Sequence, residues 1–433
     1  FRLLFCYTDT KNTYKFIVAI KLYKCYSNYE GGYIFAFVVL WFQTKKGKSP
    51  EAYIYMEDNL MKIGVPTEIK KHEYRVGLAP EFAAAYVAAG HDVYIQKGAG
   101  EGSSYSDELY TAVGCNILPT AEDIYETADM IIKVKEPLEP EYSLMREGQI
   151  FYTYFHLAAD KALTEAVLDK KIVAIAYETI RDRNGALPAL KPMSEIAGRL
   201  SVQEGAKYLE RPFGGRGVLL GGVTGVLPAN VLVLGGAGVV GRNAVAMAVG
   251  LHANVTAVDV NLDALTELDK LYQGRVNTVY STDHTVKDLI SKADLVIGAA
   301  LIPGAATPQL IRREHLPLMK KGAVIVDVAI DQGGTCESSH VTYHDNPVFE
   351  EEGVIHYCVG NMPGAVPVTS TAALNNATLA NGLAIANKGY KEALRANSGL
   401  KEGLNADHGK LTCKPVADFY NMVYTDIDEV ISN

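Results

Sequence analysis

The stretch from Val231 to Asp259 constrains this chain more than any other. Val231-Leu232-Val233-Leu234 is an apolar, β-branched run that reads as a buried strand. It leads into Gly236-Ala237-Gly238-Val239-Val240-Gly241, and a helical pattern through Met247 and Val249 follows. A strand, a glycine loop and a helix start, in that order, aim the free amides of the first helical turn at a phosphate. Gly236 reads as permitting the tight turn, Gly238 as letting the backbone approach the phosphates, and Gly241 as letting helix and strand pack closely. Eighteen residues past Gly241, at the end of the next strand, Asp259 offers a carboxylate. There it accepts hydrogen bonds from ribose hydroxyls and repels a 2′-phosphate, which selects NAD over NADP. A lone glycine triplet is weak evidence in a chain with 39 glycines, but strand, helix and acid together predict a Rossmann domain. The earlier Gly221-Gly222-Val223-Thr224-Gly225 runs into Pro228 without a helix and reads as a linker.

From Met61 the chain alternates short apolar runs with helical stretches. Strands are expected at 62–65, 92–96, 130–134, 150–155 and 173–177, with helices at 81–89, 107–113, 121–128 and 161–169. After a helix at 194–209, a second series of strands is expected at 231–234, 255–258, 276–280, 295–298, 324–328 and 355–359. Such alternation predicts an α/β chain with two doubly wound parallel-sheet domains. The alanine-rich stretch 371–396 is expected to be helical and to pack back on the first domain.

Residues 1–60 differ in composition: they are crowded with Tyr, Phe, Lys and Ile and hold the only Trp, Trp41. Eight basic against five acidic side chains give them +3, leaving −12 on the rest of a chain of net −9. Their longest apolar run, residues 34–42, is about half of what spans a bilayer, so neither a membrane anchor nor a secretion signal is expected. Met61 opens a clean strand pattern, and residues 1–60 are expected to be a disordered or non-native extension. The acidic balance and a pI near 5.7 argue against a nucleic-acid partner and favour a cytoplasmic protein. Six scattered cysteines with no C-x-x-C pair indicate reduced thiols and no metal ribbon.

Ligands bind beyond the carboxyl ends of parallel strands, so titratable residues there are candidates for chemistry. His156 follows the run 151–155, and Lys135 follows the neighbouring strand. Arg75 lies in the loop after the first strand, and Asp331 lies in Ala329-Ile330-Asp331-Gln332-Gly333-Gly334, whose glycines permit close approach of a ligand. His340 and His344 have a metal-ligand spacing if helical, but without a zincin glutamate they read as loop histidines. Cys336 has nothing basic beside it in sequence to make a thiolate.

From Met61 onward these residues resemble the bacterial alanine dehydrogenases. The resemblance runs through Gly64-Val65-Pro66-Thr67-Glu68 with Arg75, Val134-Lys135-Glu136-Pro137, Phe155-His156-Leu157-Ala158 and Pro192-Met193-Ser194-Glu195. It continues through the glycine loop, Asp259, 328–334 and Asn361-Met362-Pro363-Gly364-Ala365-Val366-Pro367. It implies NAD-dependent interconversion of L-alanine with pyruvate and ammonium by a homohexamer. It also implies a substrate domain at 61–189, an NAD-binding domain at 190–366 and C-terminal helices, 367–433, returning to the substrate domain. By resemblance, Arg75 and Lys135 bind the substrate carboxylate, His156 is the acid/base group, and Asp331 is the second catalytic acid. Met193 and Asn361 fall on substrate contacts. Ser194, Val239, Val240, Ser281, Asn361 and Met362 join the loop glycines and Asp259 on cofactor contacts.

The substrate chemistry calls for these residue types in any case. A carboxylate needs a guanidinium and an ammonium, and the iminium and carbinolamine steps need protons moved near neutral pH, as a histidine does. Two rival readings stand beside this one: the NAD-binding component of a proton-translocating transhydrogenase, which has no need of an acid/base histidine, and a catalytically silent NAD-binding protein.

Overall fold

The structure is a computed structural model that describes residues 60–300 and 307–432, with the backbone of three strands nearer the N-terminus. It divides into two units, Phe1–Asp58 and Asn59–Asn433. In the first, Leu4–Thr10, Thr13–Ala19 and Phe42–Lys45 pair antiparallel. Apart from these backbones, the expectation of a disordered extension lies outside the described residues.

The second unit holds two α/β sheets. In order across the first sheet, the parallel strands are Asn116–Leu118, Asp92–Gln96, Lys62–Val65, Met130–Ile132, Ile150–Thr153 and Val173–Ala176. Chain order reverses between Lys62–Val65 and Met130–Ile132, and a doubly wound sheet binds ligands at such a switch point. The second sheet repeats the plan: Val276–Tyr280, Asn254–Asp259, Asn230–Leu234, Leu295–Gly298, Val324–Asp327 and Val354–Tyr357 are parallel. Its switch point falls between Asn230–Leu234 and Leu295–Gly298, where the glycine loop leaves the sheet.

Both sheets are covered on both faces, because alternate residues of their strands enter different cores. In the first, Ile150, Tyr152, Val173 and Ile175 join one core, while Phe151, Ala174 and Ala176 join another. In the second, Val231, Val233 and Ile297 face one way and Leu232, Leu234 and Val296 the other.

Two strands go beyond the sequence expectation. Val348–Glu351 adds an antiparallel edge to the second sheet, and the short Asn116–Leu118 closes one edge of the first. The C-terminal region also contributes more than helices. Pro367–Lys388 ends at Gly389, whose φ of 75° breaks the single helix expected through residue 396, and Tyr390–Ala396 follows. The hairpin Leu404–Asp407 and Lys410–Leu411 then pairs antiparallel with Val173–Ala176 and extends the first sheet. The long helix carries the buried polar residues Thr371 and Asn375. Asn375 accepts from the Ala79 amide at 2.7 Å and donates to the Gly77 carbonyl at 2.8 Å, while Thr371 accepts from the Val76 amide at 3.3 Å. The loop that carries Arg75 is therefore pinned by residues nearly 300 positions away.

Candidate active site

In the glycine loop, the tight turn belongs to Gly235 rather than to Gly236: φ is +78° at Gly235, and a Cβ there would lie 2.5 Å from the Ala300 nitrogen. Gly236 is required by packing, since its Cβ would lie 2.8 Å from that of Ala257. Gly241 does what its position suggested, because a Cβ would meet the Gly235 carbonyl oxygen at 2.1 Å. At Gly238, by contrast, the nearest atom to an added Cβ is 3.5 Å away, so the protein itself does not demand glycine. The space there fits a phosphate approaching the N-terminus of Val239–Gly250, whose first amides, Val239, Val240 and Gly241, lack intrahelical acceptors. Val239 is exposed, and Val240 packs against the second sheet's core. Asp259 ends its strand beside the loop: one carboxylate oxygen accepts from the Ala237 amide at 2.9 Å, the other from the Asn261 amide at 3.0 Å. These features fit a dinucleotide with free ribose hydroxyls, for which Gly238, the first-turn amides and Asp259 would form the cradle.

Asp259→Ser should therefore narrow the preference for NAD over NADP by about 10-fold or more, since each decade is about 1.4 kcal/mol. Loss of the Ala237 acceptor should raise KM for both cofactors. The ratio of kcat/KM values is the measurement, and an unchanged ratio would place discrimination elsewhere.

At the first sheet's switch point, Glu68 leaves one strand and Lys135 the next. Glu68 accepts from the amides of Val134 at 2.6 Å and Lys135 at 3.4 Å. Its other oxygen lies 3.3 Å from buried Lys133, whose ammonium is 2.9 Å from Glu141. Burial raises the Glu68 carboxyl, against the opposing pull of Lys133. This charged knot sets the backbone from which Lys135 projects. The Lys135 ammonium has no hydrogen-bond or ion-pair partner among the described residues, and burial followed by the Arg75 cation lowers its pKa. A half-buried cation with no ion-pair partner of its own is suited to receive an anion.

Arg75 does not present an open fork. Its Nε and one terminal nitrogen donate to Glu73 at 2.7 and 2.6 Å, the same terminal nitrogen reaches Asn361 Oδ1 at 2.9 Å, and the other lies 3.1 Å from Met193 Sδ. Burial disfavours both charges, yet the pairing more than compensates, lowering the Glu73 carboxyl and raising the guanidinium. The nitrogen facing Met193 is the one that no carboxylate or amide oxygen occupies. Asn361 belongs to the far end of the second sheet, at φ 58°, and donates from Nδ2 to Glu73 Oε2 at 3.0 Å. It thus ties the second sheet to the arginine of the first.

His156 sits just past the strand Ile150–Thr153 in a left-handed conformation, φ 52°. Glu178 holds that turn by accepting from the amides of Phe155 and His156 at 3.0 and 2.6 Å. The imidazole stacks on Tyr154, 5.9 Å between centroids, and its Nδ1 lies 3.2 Å from Glu136 Oε2. Glu136 also pairs with Lys70, and these two partners overcome burial to hold its carboxyl well below the usual range. Sequence reasoning gave Glu73, Glu136 and Glu178 no role. The only signal was that Glu73 and Glu136 stand within two residues of chosen cations.

Asp331 lies on the other sheet, exposed, with one oxygen 3.5 Å from the Asn361 amide. No hydrogen bond or ion pair joins it to His156 among the described residues. Gly333 and Gly334 serve the turn itself, with φ of 100° and 80°. Ser194 is half-buried on the helix Leu190–Tyr208, one residue past Met193, and the Ser281 amide donates to the Asp259 carbonyl at 2.9 Å. The Met362 side chain is committed to the second sheet's core at 3% exposure. His340 stacks on Phe349, and His344 lies near the Asn361 carbonyl, neither in a helix. Cys336 is buried beside Ser338, which leaves its thiol above the ordinary range by burial first.

Two doubly wound sheets, one with a glycine loop and a carboxylate at its switch point and one with Arg75 and Lys135 at its own, have the architecture of a dinucleotide-binding protein. The family described as alanine dehydrogenase/PNT matches with its N-terminal domain over residues 64–197 and its C-terminal domain over 201–414. An alanine dehydrogenase of Methanococcus maripaludis is 53% identical over 373 residues, covering 86% of this chain and 100% of its own. A solved L-alanine dehydrogenase superposes with a TM-score of 0.81 at 48% identity, covering 83% of this chain and 99% of its own. A transhydrogenase of Sinorhizobium meliloti gives 0.70 at 26% identity, covering 82% and 99%. This chain belongs to the alanine dehydrogenase/PNT family.

Proposed function

We propose that this chain catalyses the NAD-dependent, reversible oxidative deamination of L-alanine to pyruvate and ammonium. The observation that carries this reading is the half-buried Lys135 ammonium, with no ion-pair partner among the described residues and within electrostatic reach of Arg75, on the same sheet edge as His156. That edge offers a cationic seat for a carboxylate and a proton carrier next to it. Bound NAD would take up the hydride from Cα of alanine, and the loop amides, Asp259, Ser194 and Ser281 would hold it. Arg75 and Lys135 orient the carboxylate, Met193 and Asn361 frame the guanidinium, and His156 and Asp331 move the protons. Water adds to the iminium, and the carbinolamine releases ammonia to leave pyruvate; His156 takes the proton from water and returns it to the leaving nitrogen. Residues 61–189 with 367–433 form the substrate domain in this reading, and 190–366 the cofactor domain. Among the described residues no helix is long and apolar enough to cross a membrane. The homohexamer and the cytoplasmic location follow from the resemblance alone and belong to the same proposal.

The test is NADH formation by the purified chain on adding L-alanine to NAD, with the reverse reaction from pyruvate, ammonium and NADH. NAD binding without turnover in either direction would favour the transhydrogenase-component reading, to which the likeness to the Sinorhizobium protein also points.

A further inference from the structure

The carboxylate of Glu136 is placed where it serves two neighbours at once. It follows Lys135 directly, and its side chain is 11% exposed. One oxygen faces His156 Nδ1 at 3.2 Å, and the other pairs with Lys70. The imidazole side chain is 42% exposed, with Glu136 on the Nδ1 side and Tyr154 against one face. Glu178 fixes the turn through the amides of Phe155 and His156, and Tyr154 stacks on the ring. Together these contacts hold a histidine that the chain alone would leave free to rotate on a strained turn.

We propose that Glu136 is a positioning residue for the reaction, one that holds His156 with the proton on Nδ1 and the Nε2 lone pair turned to the substrate. This deepens the alanine dehydrogenase reading and rests on it. An ionised carboxylate against a ring nitrogen requires a donor there, so in the neutral imidazole Nδ1 carries hydrogen and Nε2 accepts. The same carboxylate stabilises the imidazolium formed when Nε2 takes a proton, and that adds to its effect on orientation. Lys70 holds the second oxygen, which stops the carboxylate from turning away.

The measurement is steady-state kinetics in both directions with NADH titration, on Glu136→Gln, His156→Ala and the double variant. An amide can present its NH2 to Nδ1 and favour the wrong tautomer, so kcat should fall by about 10-fold or more. KM for pyruvate should change less than kcat, because the lost charge acts on Lys135 only through space, and NADH affinity should hold, because the loop is not touched. Glu136→Asp, which keeps the charge but withdraws it by one methylene, should fall between parent and Gln; should Glu136→Gln not assemble, Asp carries the test. In the His156→Ala background, either substitution should cost little further turnover, since Glu136 acts through the ring. Parental kcat in the assembled single variants overturns the proposal, as does a full additional loss on top of His156→Ala. If His156→Ala itself keeps turnover, the catalytic reading fails first; if it collapses while the Glu136 variants do not, only the positioning role fails.

Discussion

His156→Ala should leave NADH affinity nearly unaltered while turnover falls about 100-fold or more in both directions, the usual worth of a positioned acid/base group. Water cannot add to the iminium, nor ammonia leave the carbinolamine, without a proton carrier that works near neutral pH. The imidazole is 42% exposed and its ring contacts Glu136 and Tyr154, so its removal leaves no buried cavity. The glycine loop and Asp259 lie on the other sheet, and they should bind the dinucleotide as before. Turnover within a few-fold of the parent at saturating alanine and NAD would make the histidine structural. Asp331 should show the same signature, with its charge removed by Asp331→Asn and NADH binding kept.

Arg75→Lys should show a different one: KM for pyruvate up by about 10-fold or more, kcat less affected, and a lower unfolding temperature. Arg75 is 2% exposed and makes contacts with Glu73, Asn361 and Met193 from three nitrogens, a geometry that one ammonium cannot reproduce. Lysine would keep part of the attraction to Glu73 but leave buried acceptors short of donors, at about 1–3 kcal/mol. Substrate affinity suffers because the edge facing Met193 is vacated. Pyruvate saturation curves and thermal unfolding separate the two effects. An unchanged KM with a lowered melting point would mean that Arg75 serves only to pair Glu73, with Lys135 binding the carboxylate by itself.

That Arg75 and Glu73 form one unit could not be read from the chain. Both residues were visible two positions apart, but a loop of unknown path offers an arginine as readily to solvent or substrate as to a neighbouring acid. The path is set by Thr371 and Asn375 on the C-terminal helix and by Asn361 from the second sheet, contacts that span nearly 300 residues. Nor was the hairpin at Leu404–Leu411 visible, because two strands of four and two residues carry too little periodicity to stand above irregular chain.

The sequence by itself determined the alternation of strand and helix, the doubly wound class, the glycine loop with its acid, and the strand ends at which Lys135 and His156 would stand. These are local or periodic properties: a β-branched run, a helix N-terminus and a turn that needs glycine are encoded within a dozen residues. Tertiary structure alone decided which of those groups is free to act. It spends Arg75 largely on Glu73, leaves Lys135 without a counter-ion among the described residues, gives His156 a carboxylate at Nδ1, and moves the tight turn from Gly236 to Gly235. Burial and charge pairing depend on neighbours brought together from distant parts of the chain, and no window of sequence contains them.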